Sequence, residues 1–453
     1  VFIKSPPVFQ AIIAPSNSNP FEVSNSLRFN DDSSDYLSRS YSSAGNRRTW
    51  TFSCWAKIGT PAHHSTYFGA NNAFQLEFHS SGAMIAWKTG GDFMKTTALF
   101  RDVSAWYHIV WAFDTTQSTA ANRVKLYING TEITSWATAS YPSENEELEI
   151  NNAVAHYVGD YHTGTSENMD GYLAEVCLVD GQQLDATSFG EFDSASPTIW
   201  KPKEILTKLD FGTNGFYLQF KNSSSLGTDS STGGNNFTVN NLTSIDQTTD
   251  TCTNNFAILN PLDFTGSVTA TEGNTVFQGG RYKATFGVSS GKWYWEAKRL
   301  NAPDEAYIGI KADDGDWNNS FGNSYTVYTS NGKYYLNGSD QGSYGSSSTT
   351  NDILMFALDM DNGKFYVGEN GTFYNSGDPA AGSNPMASSI SGTYLPVVIN
   401  NSASGTDQYS FNFGNPSFSI SSGNADANGF GNFEYSVPSG YFALCSKNLA
   451  EFG

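Results

Sequence analysis

The residues whose types and spacing best suit chemistry lie in KADDGDWNNSF and just beyond it. Asp316, Trp317, Asn318, Phe321, Tyr325 and Tyr328 set aromatic rings among hydrogen-bonding groups. Rings stack on the C–H face of a sugar while Asp and Asn take its hydroxyls. Tyr and Trp equally give a protein partner large contact area at little entropic cost. These six are the candidate ligand-binding residues, for a glycan or a protein. The competing reading makes Tyr325 and Tyr328 core residues of strands, and replacing Trp317 by alanine separates the two. In the same run, Asp313, Asp314 and Asp316 cluster oxygens of the kind calcium requires. They lack EF-hand spacing, and polar turns capping strand ends would use the same residues.

Catalytic patterns are incomplete. Gly287-Val288-Ser289-Ser290-Gly291 matches G-x-S-x-G, but a nucleophile elbow needs a strand-to-helix turn and a later His. All six histidines lie between His63 and His162, so none follows. Glycoside hydrolysis needs two carboxylates at a fixed separation. Glu191, Asp193 and Ser196 give E-x-D-x-x-S, without the second Glu, and Glu144, Glu146, Glu147 and Glu149 sit in a polar loop pattern. His63-His64 has no partner at metal-ligand spacing and reads as an exposed loop pair. The chain is therefore expected to bind rather than catalyse.

The chain has 453 residues, 24 basic against 44 acidic side chains and a formal net charge of −20. That surface repels polyphosphate, which argues against nucleic-acid binding and anionic membranes. No stretch approaches the ~18 apolar residues of a membrane-spanning helix. Charged residues make up 15%, below the ~25% usual in soluble domains. Aromatic residues also make up 15%, with 43 Gly, which suits many short strands and polar turns rather than disorder. Cys54, Cys177, Cys252 and Cys445 lie far apart with no CxxC pair, so they read as buried free thiols.

The elements that must position these residues are strands. GKWYWEAKRLNAPDEAYIGI and ILMFALDMDNGKFYVGENGTFY alternate apolar and polar residues and are punctuated by Asn-Gly, the signature of half-buried strands and tight turns. The same alternation marks residues 26–30, 49–58, 73–80, 83–89, 106–114, 122–130, 156–161 and 170–181. It recurs at 282–288, 292–300, 306–312, 352–361, 363–371, 394–400, 408–414 and 440–449. The one helical turn expected is LDATSFGEF (184–192). Length and pattern give an all-β chain of two antiparallel β-sandwich (jelly-roll) domains, at 25–200 and 261–453. Residues 201–260, rich in Ser, Thr, Asn and Gly, read as a connector, either a loop lying along one domain or a moderately flexible linker, with FYLQF and FTVNNL as short strands.

Residues 1–24 form an extended N-terminal arm, because Pro6, Pro7, Pro15 and Pro20 forbid a regular helix. The same prolines break any signal-peptide core. Phe2, Ile3, Val8, Phe9, Ile12 and Ile13 would be costly to leave in water and are expected to dock on a neighbouring chain or a larger assembly.

WTFSCWAKI, WYHIVWAFD, VKLYINGTEI and DGYLAEVCLVDGQQL stand in the order of the laminin-G-like and concanavalin-like jelly rolls, which residues 25–190 resemble. GKWYWEAKRL, YIGIK, DILMFALDMDNGKFYVGENGTF, LPVVIN and YSFNFG resemble a SPRY domain, a fold whose loops at one end bind partners. The polar tract from GTNGFYLQF to FAILNPL and the ending VPSGYFALCSKNL resemble virion proteins of tailed bacteriophages, notably marine ones. DGYLAEVCLVDGQQLDATSFGEFD with Trp200, Lys201 and Pro202 fits the same group.

That resemblance implies a structural or adhesive part of a phage particle, exposed on tail or capsid. It implies multiple copies, other virion proteins as partners through the arm, and host surface glycan or protein as ligand. A receptor-binding or tail-fibre adhesin comes first, a capsid decoration or head-fibre protein second, and a polysaccharide hydrolase third. No repetitive fibre shaft is present, so the appendage would be compact.

Overall fold

A computed structural model describes residues 21–162, 167–265, 269–301, 306–314, 321–400 and 407–453. The arm residues Phe2, Ile3, Val8, Phe9, Ile12 and Ile13 lie outside the described residues. The described chain is nearly all β, in antiparallel sheets that pack as two sandwiches.

The first sandwich is organised by Thr49–Ile58. It pairs with Tyr107–Asp114 on one side and Gly171–Asp180 on the other. Alternation sends Trp50, Phe52, Cys54, Ala56 and Ile58 into the core, where Trp50 stacks on Phe113 at 4.1 Å. The opposite phase, Ser53, Trp55 and Lys57, is also buried. It is closed by the segment carrying Ala186, Phe189, Ile205 and Phe211 and by contacts from the second sandwich. The second sheet of this sandwich holds Ser65–Ala70, Phe74–Phe78, Met84–Lys88 and Gly91–Thr96. Its inner phase, Phe74, Leu76 and Phe78, completes the core. Its outer phase carries polar groups and is described below.

The segment 201–260, expected as a connector, is built into this sandwich. Phe216–Leu218 pairs with the 171–180 strand, Thr238–Asn240 with Tyr36–Ser40, and Gln247–Thr248 with Ser26–Phe29. Asp229 pins the polar tract, since its carboxylate accepts from the backbone N–H groups of Tyr217, Ser231 and Asn235. A Ser/Thr/Asn/Gly stretch is thus held by side-chain-to-backbone bonds rather than left as a linker.

In the second sandwich Lys292–Arg299 occupies the centre of one sheet, between Ile353–Asp359 and Gln408–Asn412. Trp293, Trp295 and Ala297 face the core. Tyr294 and Glu296 face outward and are closed over by the C-terminal segment. The Glu296 carboxylate accepts from the backbone N–H groups of Glu434 and Tyr435 at 3.0 and 2.8 Å and from Asn412 Nδ2 at 3.2 Å. Residues 440–449, expected as one strand, instead give a short parallel pair at Phe442–Ala443 and then a helix, Ser446–Phe452. The Asn-Gly signals hold: Asn370 and Gly371 have φ of 48° and 86°, as a tight hairpin needs. The turn expected at 184–192 is a 3-10 turn at Ala186–Ser188, capped by Asp185 and followed by strand Gly190–Phe192.

Between the sandwiches lies a buried polar seam. Tyr172 donates to the Gly273 carbonyl, Asn274 to that of Gly59, and Arg28 to Glu272.

Candidate functional site

The outer phase of the second sheet of the first sandwich gathers groups far apart in sequence. Gln75 and Glu77 leave the 74–78 strand on that face, between inward Phe74, Leu76 and Phe78. Gln75 Nε2 donates to Glu77 Oε2 at 3.1 Å and to Glu167 Oε2 at 3.2 Å. His64 Nδ1 lies 2.9 Å from Glu77 Oε1, and its ring meets that of His79 edge-on at 4.5 Å. Lys95 donates to His79 Nε2 at 3.2 Å. Trp87, on the next strand, meets Tyr161 edge-on at 6.1 Å, and both rings are half-buried. Gly69 makes room for Tyr161, because a Cβ there would run into the Tyr161 Cα and Cβ.

The electrostatics follow from burial. Glu77 has no exposed side chain, and burial raises its pKa. The hydrogen bond to Glu77 in turn raises His64, so the pair holds a proton to higher pH than a free histidine would. Burial and then Lys95 lower His79. Gln75 Oε1 and Thr66 Oγ1 are buried here without a hydrogen-bond partner, which marks unspent polar capacity on this face. Glu77, closed to solvent, acts by fixing Gln75 and His64. The half-buried groups that a ligand can reach are Trp87, Tyr161, His64 and Glu167.

Of the residues expected to bind ligand, Asp316, Trp317 and Asn318 lie outside the described residues. The structure brings Phe321 and Tyr328 together through Tyr307, whose ring is 4.8 and 4.4 Å from theirs. Tyr335 completes the cluster at 5.0 Å from Tyr307. Tyr325 is not part of it. Both tyrosines lie in strand Ser324–Tyr328 rather than in a loop. Their odd spacing turns Tyr325 inward against the core and 5.9 Å from Tyr394.

For calcium, Asp313 and Asp314 are described and Asp316 is not. The Asp314 carboxylate lies 3.3 Å from the buried Lys311 ammonium and accepts from Asn323 Nδ2 at 3.1 Å. No group of three or more His, Cys, Asp or Glu among the described residues is placed to hold a metal ion. Cys54, Cys177 and Cys445 are buried free thiols, and Cys252 is free and half-buried.

The sequence signal for the first-sandwich face was the polar phase of AFQLEFHS and AMIAWKT, where Gln75, Glu77 and Trp87 fall. His64, read as an exposed loop residue, is in fact bound to Glu77.

Residues 31–185 match the laminin G family model described as the concanavalin A-like lectin/glucanases superfamily, and this region is a concanavalin-like domain. No curated protein matches the chain. Among solved structures, the SPRY domain of human HERC1 is similar at 18% identity, with TM-score 0.29, over 34% of this chain and 96% of that one. The TRIM65 PSpry domain is similar at 12% identity, with TM-score 0.27, over 34% of this chain and 91% of that one. A protein from Bacteroides ovatus, proposed to bind carbohydrate, is similar at 14% identity with TM-score 0.31. The similarity covers 49% of this chain and 60% of that protein.

Proposed function

We propose that this protein is a non-enzymatic adhesin of a phage particle. In this reading the open face of its concanavalin-like domain binds glycan on the host surface. The observation that carries the reading is the convergence of Trp87 and Tyr161 with Gln75, His64 and Glu167 on one sheet face. Half-buried rings offer stacking surface to a sugar, and the His64 imidazole and Glu167 carboxylate, held in place by Glu77 and Gln75, offer hydroxyl partners. The half-buried rings of Tyr307, Phe321 and Tyr335, packed around the buried Tyr328, supply a second, protein- or glycan-facing contact on the other sandwich. The arm docks the adhesin on other virion proteins, and several copies act together because single sugar sites are weak.

Hydrolysis is the reading that the Glu77 and Glu167 pair would favour, with both carboxylates on one Gln75 nitrogen. Its weakness is the burial of Glu77, which keeps that carboxyl from a glycosidic oxygen. Adsorption competition tests the proposal. Purified protein is incubated with host cells, phage is added, and free particles are counted. Coating of the cells and blocked adsorption is the expected result. Absence of both, at concentrations that offset lost multivalency, would transfer the reading to a capsid decoration gripped by the arm.

A further inference from the structure

An amine, a carboxamide and a carboxylate meet where the two sandwiches join. Lys57 leaves strand Thr49–Ile58 on its outer phase. Its Nζ donates at 2.8 Å to Asp250 Oδ2, at 2.7 Å to Asn255 Oδ1 and at 3.3 Å to the Phe256 carbonyl. Neither the Lys57 nor the Asp250 side chain reaches solvent, and Asn255 is 5% exposed. The Tyr172 ring lies 5.4 Å from the ammonium.

These are the parts of an amide exchange, and each is prepared. A lysine amine attacks only when it has lost its proton, which burial promotes. Burial lowers the Lys57 pKa, and Asp250 Oδ2 stands where it can take that proton. The target carbon is near. Asn255 Cγ lies one carbonyl bond of ~1.2 Å beyond Oδ1, so Nζ and Cγ are within about 4 Å of each other. The partners are also fixed. Asp250 Oδ1 accepts from Trp106 Nε1 at 3.2 Å and from the Phe256 N–H at 3.3 Å. The Asn255 N–H donates to Ser446 Oγ at 2.9 Å, and its Nδ2 to the Ser104 carbonyl at 2.6 Å. Ser104 is half-buried, so the carboxamide nitrogen lies on the side nearest solvent.

We propose that Lys57 and Asn255 join in an intramolecular isopeptide bond, with Asp250 carrying the proton. Asp250 takes one proton from the Lys57 ammonium. The freed lone pair forms the Nζ–Cγ bond, and the carbonyl pair moves onto Oδ1. A second Nζ proton passes to Nδ2, the carbonyl re-forms, the Cγ–Nδ2 bond breaks and ammonia leaves. Asp250 ends protonated and Lys57 neutral, so the product keeps no buried charge. Nothing else is consumed. Exclusion of water from the site protects Asn255 from hydrolysis to aspartate. The reaction runs once per chain, and it stands independently of the adhesin reading. Its product would fasten the central strand of the first sandwich to the segment entering the second.

The test is mass spectrometry of the denatured full chain, intact and after trypsin. Wild type is expected to be lighter than its sequence by one ammonia. Its digest should hold a branched peptide that joins Lys57 to the peptide carrying Asn255, uncut after Lys57. Asn255→Ala keeps the Lys57–Asp250 ion pair and should show the full mass of its sequence, with trypsin cutting after Lys57. That variant is also the reference in which the stability of the ion pair is read without the bond. Asp250→Asn, checked for cooperative melting, should slow joining by ~100-fold or more. Wild type at full mass with Lys57 cut overturns the inference, as does ammonia lost elsewhere while Lys57 stays free. Joining at the wild-type rate in folded Asp250→Asn overturns the role given to Asp250.

Discussion

Lys57 and Asp250 form an ion pair at 2.8 Å with neither side chain reaching solvent. Lys57 belongs to the central strand of the first sandwich, and Asp250 to the segment leading into the second. Lys57 Nζ also donates to Asn255 Oδ1 at 2.7 Å, and Asp250 Oδ1 accepts from Trp106 Nε1 at 3.2 Å. Burial lowers the Lys57 pKa while Asp250 opposes that shift, so the charge survives only because its partner is fixed beside it. The two sandwiches meet on this pair.

Removing one partner should therefore cost far more than removing both. Asp250→Asn or Lys57→Met alone leaves a buried charge or its donors unmatched and should destabilise by about 3–5 kcal/mol. The double variant Lys57→Met/Asp250→Leu should recover a large part of that loss. Urea unfolding of the full chain measures all three, and single variants that cost under ~1 kcal/mol would show the pair to be incidental.

Stability should fall as pH rises through neutrality. Burial pushes Glu175 up to about 8, Asp170 to about 7 and Asp35 to about 6. A carboxyl whose folded pKa lies above its unfolded value binds more protons when folded. Its contribution is complete below the unfolded pKa and is lost as pH climbs through the folded one. Melting temperature should thus drop between about pH 5 and pH 8. Glu175 sits in a β-bulge at φ 50°, beside the Tyr217 hydroxyl. Glu175→Gln should flatten the profile, whereas an unchanged slope would place the pH dependence in overall charge repulsion.

Gly69 is the position where a methyl group should disable the face proposed to bind glycan. Gly69→Ala puts a Cβ against the backbone of Tyr161, moving the ring that faces Trp87. Glycan binding should weaken about ten-fold or more, with a moderate loss of melting temperature. Binding at the original strength would show that Tyr161 takes no part.

Strand positions were legible where the signal is local. TWTFSCWAKI alternates except at Trp55 and forms Thr49–Ile58 to the residue. What sequence could not show is convergence. Thr238–Asn240 joins its sheet beside Tyr36–Ser40, and Asn240 bonds Ser38 across a separation of 202 residues. That pairing hid the structural role of the apparent connector. Likewise Tyr325 and Tyr328 look equivalent in a list of aromatics, but three residues of strand turn them to opposite faces. Gln75, Glu77, His64 and Glu167 each look ordinary alone, and only the folded sheet links them, Glu77 to His64 and to Gln75, and Gln75 to Glu167.

The central claim is that the face carrying Trp87 binds host glycan without cutting it. Affinity electrophoresis of wild-type and Trp87→Ala protein in gels containing host surface polysaccharide, with reducing ends assayed in parallel, tests it most directly. The account predicts retardation of wild type, loss of retardation in the variant at unchanged melting temperature, and no new reducing ends. Equal retardation of both proteins, or release of reducing ends that stops in Glu167→Gln, would contradict it.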